Sequence, residues 1–365
     1  MKKSLIALAV MAAAGAASAQ SSVTLFGIVD MTVSYQKVNG GQKNTVLTNN
    51  GYNSSRLGFR GTEDLGGGMS ASFWLEGALS PDDGTPAGLT FKRRSTVSLA
   101  GNWGEVRLGR DYVPTFWNAT VFDPFGTNGV GQNVAGKMKS ASFAVTPTTT
   151  LDLAKADPLY VRSNNMVEYF LPPNLGGVYG QLSYAFSEVA KPVTVVGNKA
   201  DAGRYLGGRV GYASGPFNVA IAYGRTEGQE TLASPDVKDW NLGGQWDFGV
   251  AKLMGYYDHS KYDAGATGDA TLKSWLIGGL VPVGAGEVRL SYGQSKFDNS
   301  GPKANQWALG YVHNLSKRTA LYATYAELKN KNGAALTIVP GNGVITTGVV
   351  NAKASGFDLG IRHSF

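Results

Sequence analysis

Cysteine is absent, and the three histidines, His259, His313 and His363, lie far apart in no ligand spacing. Thiolate nucleophiles, disulfides, Fe–S clusters and Cys-ligated zinc are thereby excluded, and neither a His-based metal set nor a Ser/His/Asp constellation is apparent. No cofactor motif is visible either. The residues that could do chemistry are basic. Arg56 and Arg60 stand on either side of Gly58, Arg107 lies between Val106 and Leu108, and Lys92, Arg93 and Arg94 run together. Fixed positive charges make and break no bonds. They concentrate anions locally. Arginine suits this because it stays ionised beside other cations and can fork onto a carboxylate or phosphate. Asp111 and Asp123 belong to a segment, 111–160, that also carries Asp152, Asp157, Lys137, Lys139 and Lys155. That segment has no acidic run dense enough to make a strongly negative wall.

The elements that must position these residues are strands. The first 19 residues stand apart: Lys2 and Lys3, the apolar Leu5–Ala14 and the small-residue site Ala17-Ser18-Ala19 spell a secretory leader. The mature chain is expected to begin at Gln20. Losing Lys2 and Lys3 lowers the formal charge from +7 to +5. No later segment approaches the ~18 consecutive apolar residues of a helical membrane span. Period-2 alternation replaces it: Trp240, Leu242, Trp246 and Phe248 occupy one face, and Asp239, Asn241, Gln245 and Asp247 the other.

The connections are more telling than any single strand. Seven short turns, such as 64–69, 101–105 and 282–287, alternate with eight longer polar segments: 36–53, 80–90, 111–160, 188–202, 227–236, 262–271, 298–303 and 330–353. These fifteen connections imply sixteen antiparallel strands with both termini on the short-turn side. That is the layout of an all-β transmembrane barrel with short periplasmic turns and long external loops. Sixteen strands leave an aqueous lumen, and in lipid the sheet must close. The last strand places Phe357, Leu359, Ile361, His363 and Phe365 on one face. Tyr35, Trp103, Tyr112, Tyr169 and Phe297 lie near strand ends, as girdle aromatics would.

With this architecture the basic residues acquire a direction. Leu57 and Phe59 face out, so Arg56 and Arg60 face the lumen, and Arg107 follows by the same rule. The strand after 80–90 is ambiguous. With Val97 and Leu99 outward, strict alternation turns Lys92 and Arg94 inward and leaves Arg93 outside, unless a bulge intervenes.

Val23-Thr-Leu-Phe-Gly-Ile-Val-Asp30 and Ser55-Arg-Leu-Gly-Phe-Arg-Gly-Thr-Glu-Asp-Leu-Gly-Gly-Gly68 resemble the opening of general trimeric porins of Gram-negative bacteria, the β-proteobacterial branch especially. Phe91-Lys-Arg-Arg-Ser-Thr-Val-Ser-Leu99 and Gly104-Glu-Val-Arg-Leu-Gly-Arg-Asp111 extend the likeness. The resemblance implies a homotrimer in outer-membrane lipid that passes small hydrophilic solutes. It implies that the third external loop, here 111–160, folds into the lumen, and that Arg93 is the pore arginine of its strand. It implies that the barrel-assembly machinery recognises Phe365. The apolar stretches Pro114-Thr-Phe-Trp117 and Phe122-Asp-Pro-Phe-Gly126 would pin such a loop to the wall.

The expected activity is passive diffusion with a preference for anions and no enzymatic step. Arg56, Arg60, Lys92, Arg93, Arg94 and Arg107 form the expected basic ladder opposite the loop, with Asp111 and Asp123 at the constriction. Inward Asp30, Glu168, Asp239 and Asp358 oppose its sign. A competing role is purely structural: the arginines would pair with Glu76 and Glu105 and carry nothing. At the level of function the alternative is a substrate-specific channel of the same fold. A barrel enzyme or an adhesive barrel lacks supporting residues, and export to the outer membrane argues against nucleic acid as a partner.

Overall fold

The computed structural model describes residues 22–85, 88–140, 142–146, 149–152, 160–187, 189, 199–229, 234–265, 268–298, 300–339, 345 and 348–365. The leader over 1–19 lies outside these residues, as do Lys155 and Asp157. The chain begins with β1 (Ser22–Val38), β2 (Lys43–Asn49), β3 (Arg56–Gly66) and β4 (Met69–Ala78). β5 (Arg94–Gly101) and β6 (Gly104–Tyr112) lead into two short helices, α1 (Pro114–Val121) and α2 (Val134–Lys139). A small hairpin of β7 (Ser142–Thr146) and β8 (Thr149–Asp152) follows. The chain then continues through β9 (Arg162–Phe170), β10 (Val178–Ala185), β11 (Tyr205–Ser214), β12 (Phe217–Thr226) and β13 (Asp236–Asp247). It ends with β14 (Lys252–Asp263), β15 (Asp269–Val283), β16 (Gly286–Phe297), β17 (Lys303–Asn314), β18 (Thr319–Lys331) and β19 (Lys353–Ser364).

All strands except β7 and β8 join one antiparallel sheet, which β1 closes against β19. β1 pairs with β3 along its first half and with β2 along its second. β2 and β3 are therefore two parts of a single stave, and the closed wall has sixteen. Where that stave breaks, residues 50–55 stand opposite Val29 and Asp30 alone. The Asp30 carboxylate holds the bulge by accepting the N–H groups of Tyr52 and Asn53 at 3.0 and 2.6 Å and the hydroxyl of Tyr322. The expected loop over 36–53 is thus a short turn at 39–42 followed by strand and bulge. The polar composition of Lys43–Asn49 disguised the strand.

Alternation sets the two faces. Leu25, Val97, Leu182, Leu206, Ile277 and Leu359 are each more than half exposed on the outside, while Ser34, Ser183, Ser274, Gln306 and Asp358 are buried inside. Such an outer band would drive association in water; hydrocarbon requires it. Trp240, Trp275 and Trp307 lie against Tyr257, Tyr292 and Tyr325, with ring centroids 5.4, 5.6 and 5.3 Å apart. They form a girdle toward the long-loop ends. Two expected girdle residues point elsewhere. A pairing shift between Gly109 and Asp111 turns Tyr112 inward, where its hydroxyl accepts from Arg93 and Arg162. Phe297 alternates with outward Tyr292 and Lys296 and is buried against the lumenal cluster.

The closing seam is tight. Gly27 and Phe365 exchange both backbone hydrogen bonds at 3.1 Å. A Cβ on Gly27 would strike the Phe365 ring and the Arg56 carbonyl oxygen, so glycine is required there for closure. Gly27→Val should therefore overpack the seam by about 1–3 kcal/mol. The fraction of heat-modifiable barrel after refolding in detergent should fall. An unchanged fraction would show that the ring yields freely.

Candidate functional site

Residues 113–140 cross the inside of the barrel, and each anchor meets a wall feature of matching shape or charge. In α1, Asn118 donates from its side chain to the Ala220 carbonyl at 3.1 Å and accepts from Arg209. Asn241 donates to the Thr115 carbonyl at 3.0 Å. Beyond α1 the chain lies over wall glycines. A Cβ on Gly243 would collide with Phe122, on Gly278 with Pro124, and on Gly356 with Val130. The missing side chains form recesses, and the loop's apolar residues fill them. Phe122 and Val130 are wholly buried as a result.

Charge completes the attachment. The Val130 N–H donates to the Asp358 carboxylate at 2.9 Å. Lys139, wholly buried, places its ammonium 2.9 Å from Asp239 and 3.0 Å from Asp258. Burial would lower its pKa, but the two carboxylates outweigh that and hold it well above the ordinary lysine range. Lys137, also wholly buried, donates to the Val130 carbonyl at 2.8 Å and to the Gln306 side chain. Burial pushes it down to about 7, against the pull of Asp358 and Asp123. Asp123 borders the lumenal space beside the loop, but its oxygens are turned to the loop's own backbone. Its carboxylate is buried and accepts the N–H groups of Phe125, Thr127 and Asn133, which shapes the turn after α1.

Opposite this segment the expected arginines divide into two sets. Arg56 and Arg93 share Glu76, at 3.5 and 2.6 Å, and border an open space of about 600 Å³ beside the loop. Arg94 and Arg107 instead share one oxygen of buried Asp111, at 3.2 and 2.8 Å, and Arg107 also meets Glu105 at 2.9 Å. Asp111 therefore neutralises its neighbours and does not stand free at a constriction. Arg60 lies over the rings of Phe26 and Trp74 at 5.3 and 5.2 Å. Arg93 and Arg94 both turn inward because β5 starts only at Arg94. Arg93 sits in the bend before it, where its N–H is bonded to the Glu76 carbonyl. Lys92 does not join the cluster; it is exposed, and its carbonyl accepts from Arg110.

The same open space is bordered by residues that sequence reasoning missed, notably Arg162, Arg289, Lys252, Tyr52 and Tyr112. Arg162 donates to the Tyr112 hydroxyl at 2.7 Å and lies over that ring at 4.2 Å. Among the described residues no carboxylate forms an ion pair with it. Arg289 meets Glu287 at 3.0 Å and donates to the Tyr52 hydroxyl at 2.9 Å. Its position between Val288 and Leu290 repeats the signal that placed Arg56. Arg162 opens a strand with poor alternation and had no such signal. The carboxylates that should have opposed the arginines are occupied: Asp30 by the bulge, Glu168 by Ser183, Asp239 by Lys139 and Asp358 by Val130.

A family model described as Gram-negative porin matches residues 5–333. The chain is 45% identical to outer membrane porin protein 32 of Delftia acidovorans over 371 residues, covering the whole of both. It is 31% identical to an outer membrane porin protein of Bordetella pertussis, again over the full length of both. A solved structure, an anion-selective porin from Comamonas acidovorans, superposes with a TM-score of 0.81 at 42% identity, covering 94% of this chain and all of that one.

The pKa of Lys137 gives the loop attachment a pH dependence. Unfolded lysine keeps its proton up to about 10.4, whereas Lys137 in place keeps it only below about 7. Between these limits the detached state binds more protons, so attachment strengthens as pH rises from 7 toward 10. Hydrogen exchange over 130–139, corrected for intrinsic rate, should show protection rising by at most about tenfold per pH unit. Lys137→Met should remove the slope. A slope of the opposite sign would contradict this account.

Proposed function

The chain belongs to the Gram-negative porin family, and on that footing we propose that its lumen selects anions through Arg56, Arg93, Arg162 and Arg289. It is an outer-membrane porin whose closed barrel provides a water-filled path for passive diffusion of small hydrophilic solutes and ions. The porin family consists of channels. The observation that carries the selectivity is the placement of the carboxylates. Asp30, Asp239, Asp258 and Asp358 of the wall are engaged in holding the bulge and the loop, Glu76 is shared between two arginines, and Arg162 borders the open space with no acidic partner among the described residues. A solute crossing beside 113–140 meets an excess of guanidinium groups. The similar porin from Comamonas acidovorans is itself described as anion-selective.

The mechanism is electrostatic. Fixed charges in a narrow passage with low-dielectric walls raise the counter-ion concentration and repel co-ions. Release stays fast because each arginine is already hydrogen-bonded to a tyrosine or a carboxylate: Arg93 and Arg162 to Tyr112, Arg289 to Tyr52, and Arg56 to Glu76. The passing anion therefore adds a weak contact to a satisfied group. The neutralised pair Arg94 and Arg107 contributes less, as does Arg60 over its rings.

Two further assignments follow from the family resemblance: assembly as a homotrimer, and recognition of Phe365 by the barrel-assembly machinery. Unboiled material extracted in gentle detergent should migrate as a trimer and collapse to a monomer on boiling. Deleting Phe365 should lower the yield in cells by more than Gly27→Val does, which separates recognition from packing.

The test of selectivity is the reversal potential in a planar bilayer under a tenfold KCl gradient. Wild type should favour chloride, and the preference should shrink as salt rises, since screening lengths fall from about 8 Å at physiological salt to about 3 Å at 1 M. Replacing Arg56 and Arg93 together with Ser also frees Glu76, so the chloride-to-potassium permeability ratio should drop several-fold. Arg162→Ser should lower it too, and Lys331→Gln much less. Cation preference in wild type would overturn the proposal.

A further inference from the structure

Helix α1 buries most of its residues and leaves three uncovered. Pro114, Thr115, Phe116, Asn118 and Ala119 are buried, whereas Trp117, Thr120 and Val121 are half-buried and border the open space. Spaced i, i+3 and i+4, these three make one helical face. Trp117 therefore has no share in the anchoring done by Asn118 and Phe122. Its ring meets Tyr112 edge-on, with centroids 5.1 Å apart. Among the described residues no cation lies over the Trp117 ring, and its indole N–H has no hydrogen-bond partner. The other rings beside the open space are taken. Phe116 and Phe125 are buried. Tyr112 carries Phe116 at 5.1 Å and Arg162 at 4.2 Å. Tyr52 carries Arg289 at 4.4 Å and Arg362 at 5.2 Å. The indole of Trp117 is the aromatic surface still available to a solute.

Resting on the anion preference proposed above, we infer that the passage also sorts anions by shape. It favours flat aromatic carboxylates, of which benzoate is the simplest, over aliphatic carboxylates of the same charge. Tyr112 brings the two required groups together: Trp117 lies against its ring, and Arg93 and Arg162 both donate to its hydroxyl, at 3.1 and 2.7 Å. A flat aromatic acid carries its carboxylate in the plane of its ring, beyond the edge. Its face can lie on the indole while its carboxylate reaches a guanidinium fork. A puckered saturated ring has the same charge and comparable apolar area but no π-face. Val121, Met254 and Leu280 border the same space and receive either ring alike. Trp117 is thus the specificity-determining residue, and the arginines supply the attraction common to both acids. A single ring contact biases passage without trapping the acid.

Bi-ionic reversal potentials in a planar bilayer test this, with potassium chloride on one side and potassium benzoate or potassium cyclohexanecarboxylate on the other. Wild type should pass benzoate about two- to tenfold more readily than cyclohexanecarboxylate, the size of one aromatic contact. Trp117→Leu should bring the two acids level in barrels that remain heat-modifiable. Trp117→Phe, which shrinks the side chain but keeps a π-face, should retain most of the benzoate preference. A limit on solute thickness alone would relax in both variants, and that result would overturn the inference. Equal permeability of the two acids in wild type, or an unchanged benzoate preference in Trp117→Leu, would also overturn it while the preference for chloride stood. Cation preference in wild type would instead remove the reading on which it rests.

Discussion

Hydrocarbon offers no hydrogen-bond partner to a peptide group, so the wall must satisfy every donor and acceptor within itself. The rest of the molecule follows from that requirement. It forces β1 onto β19 and demands a glycine at position 27 so that Phe365 can reach the seam. It also explains why the break in the second stave is so thoroughly bonded. The amides of the bulge cannot be left to lipid, and Asp30 takes them on the lumenal side. Closure then divides all side chains into two populations, and the polar population has only the lumen to face.

The lumen is not simply lined; it is divided by attachment. The segment over 113–140 spends its apolar residues on glycine recesses, Lys139 on the wall's carboxylates and Lys137 on a carbonyl and Gln306. Breaking one member of such a buried pair costs far more than the pair contributes. Lys139 with Asp239 and Asp258 therefore locates the loop more than it strengthens the barrel. The electrical consequence is indirect. Anchoring the loop removes acidic groups from contact with solution, and the charged side chains that border the open space are mostly basic: Arg56, Arg93, Arg162, Lys252 and Arg289 against Asp123.

Arginine and tyrosine act here as a unit. Tyr112 receives both Arg93 and Arg162, and Tyr52 receives Arg289 and lies beneath Arg362. A guanidinium held flat on a ring loses little freedom when an anion passes. Tyr52 comes from the bulge and Tyr112 from the end of β6 just before the loop. Two irregular places in the wall thus supply the platforms for its charges.

How much of this was legible beforehand depends on the distance over which each feature is decided. Alternation in segments such as Asp239–Phe248 and the rhythm of short and long connections determined the barrel and its strand number. Period 2 is a local property, and a closed sheet is the one all-β answer to lipid. The inward direction of Arg56, Arg60 and Arg107 followed from the same rule. Where alternation breaks, the sequence alone was not enough. The bend before Arg94 turned both Arg93 and Arg94 inward, the shift at Gly109 reversed Tyr112, and the bulge at 50–55 replaced an expected loop. Only the tertiary structure decided which charges are spent. Asp111 and Asp123 look alike in sequence, yet one neutralises two arginines and the other folds the loop's backbone. Partners such as Lys139 and Asp258 lie over a hundred residues apart, and nothing local encodes their meeting. A charge's effect on a passing ion depends on its neighbours in space, and closure of the barrel sets those neighbours.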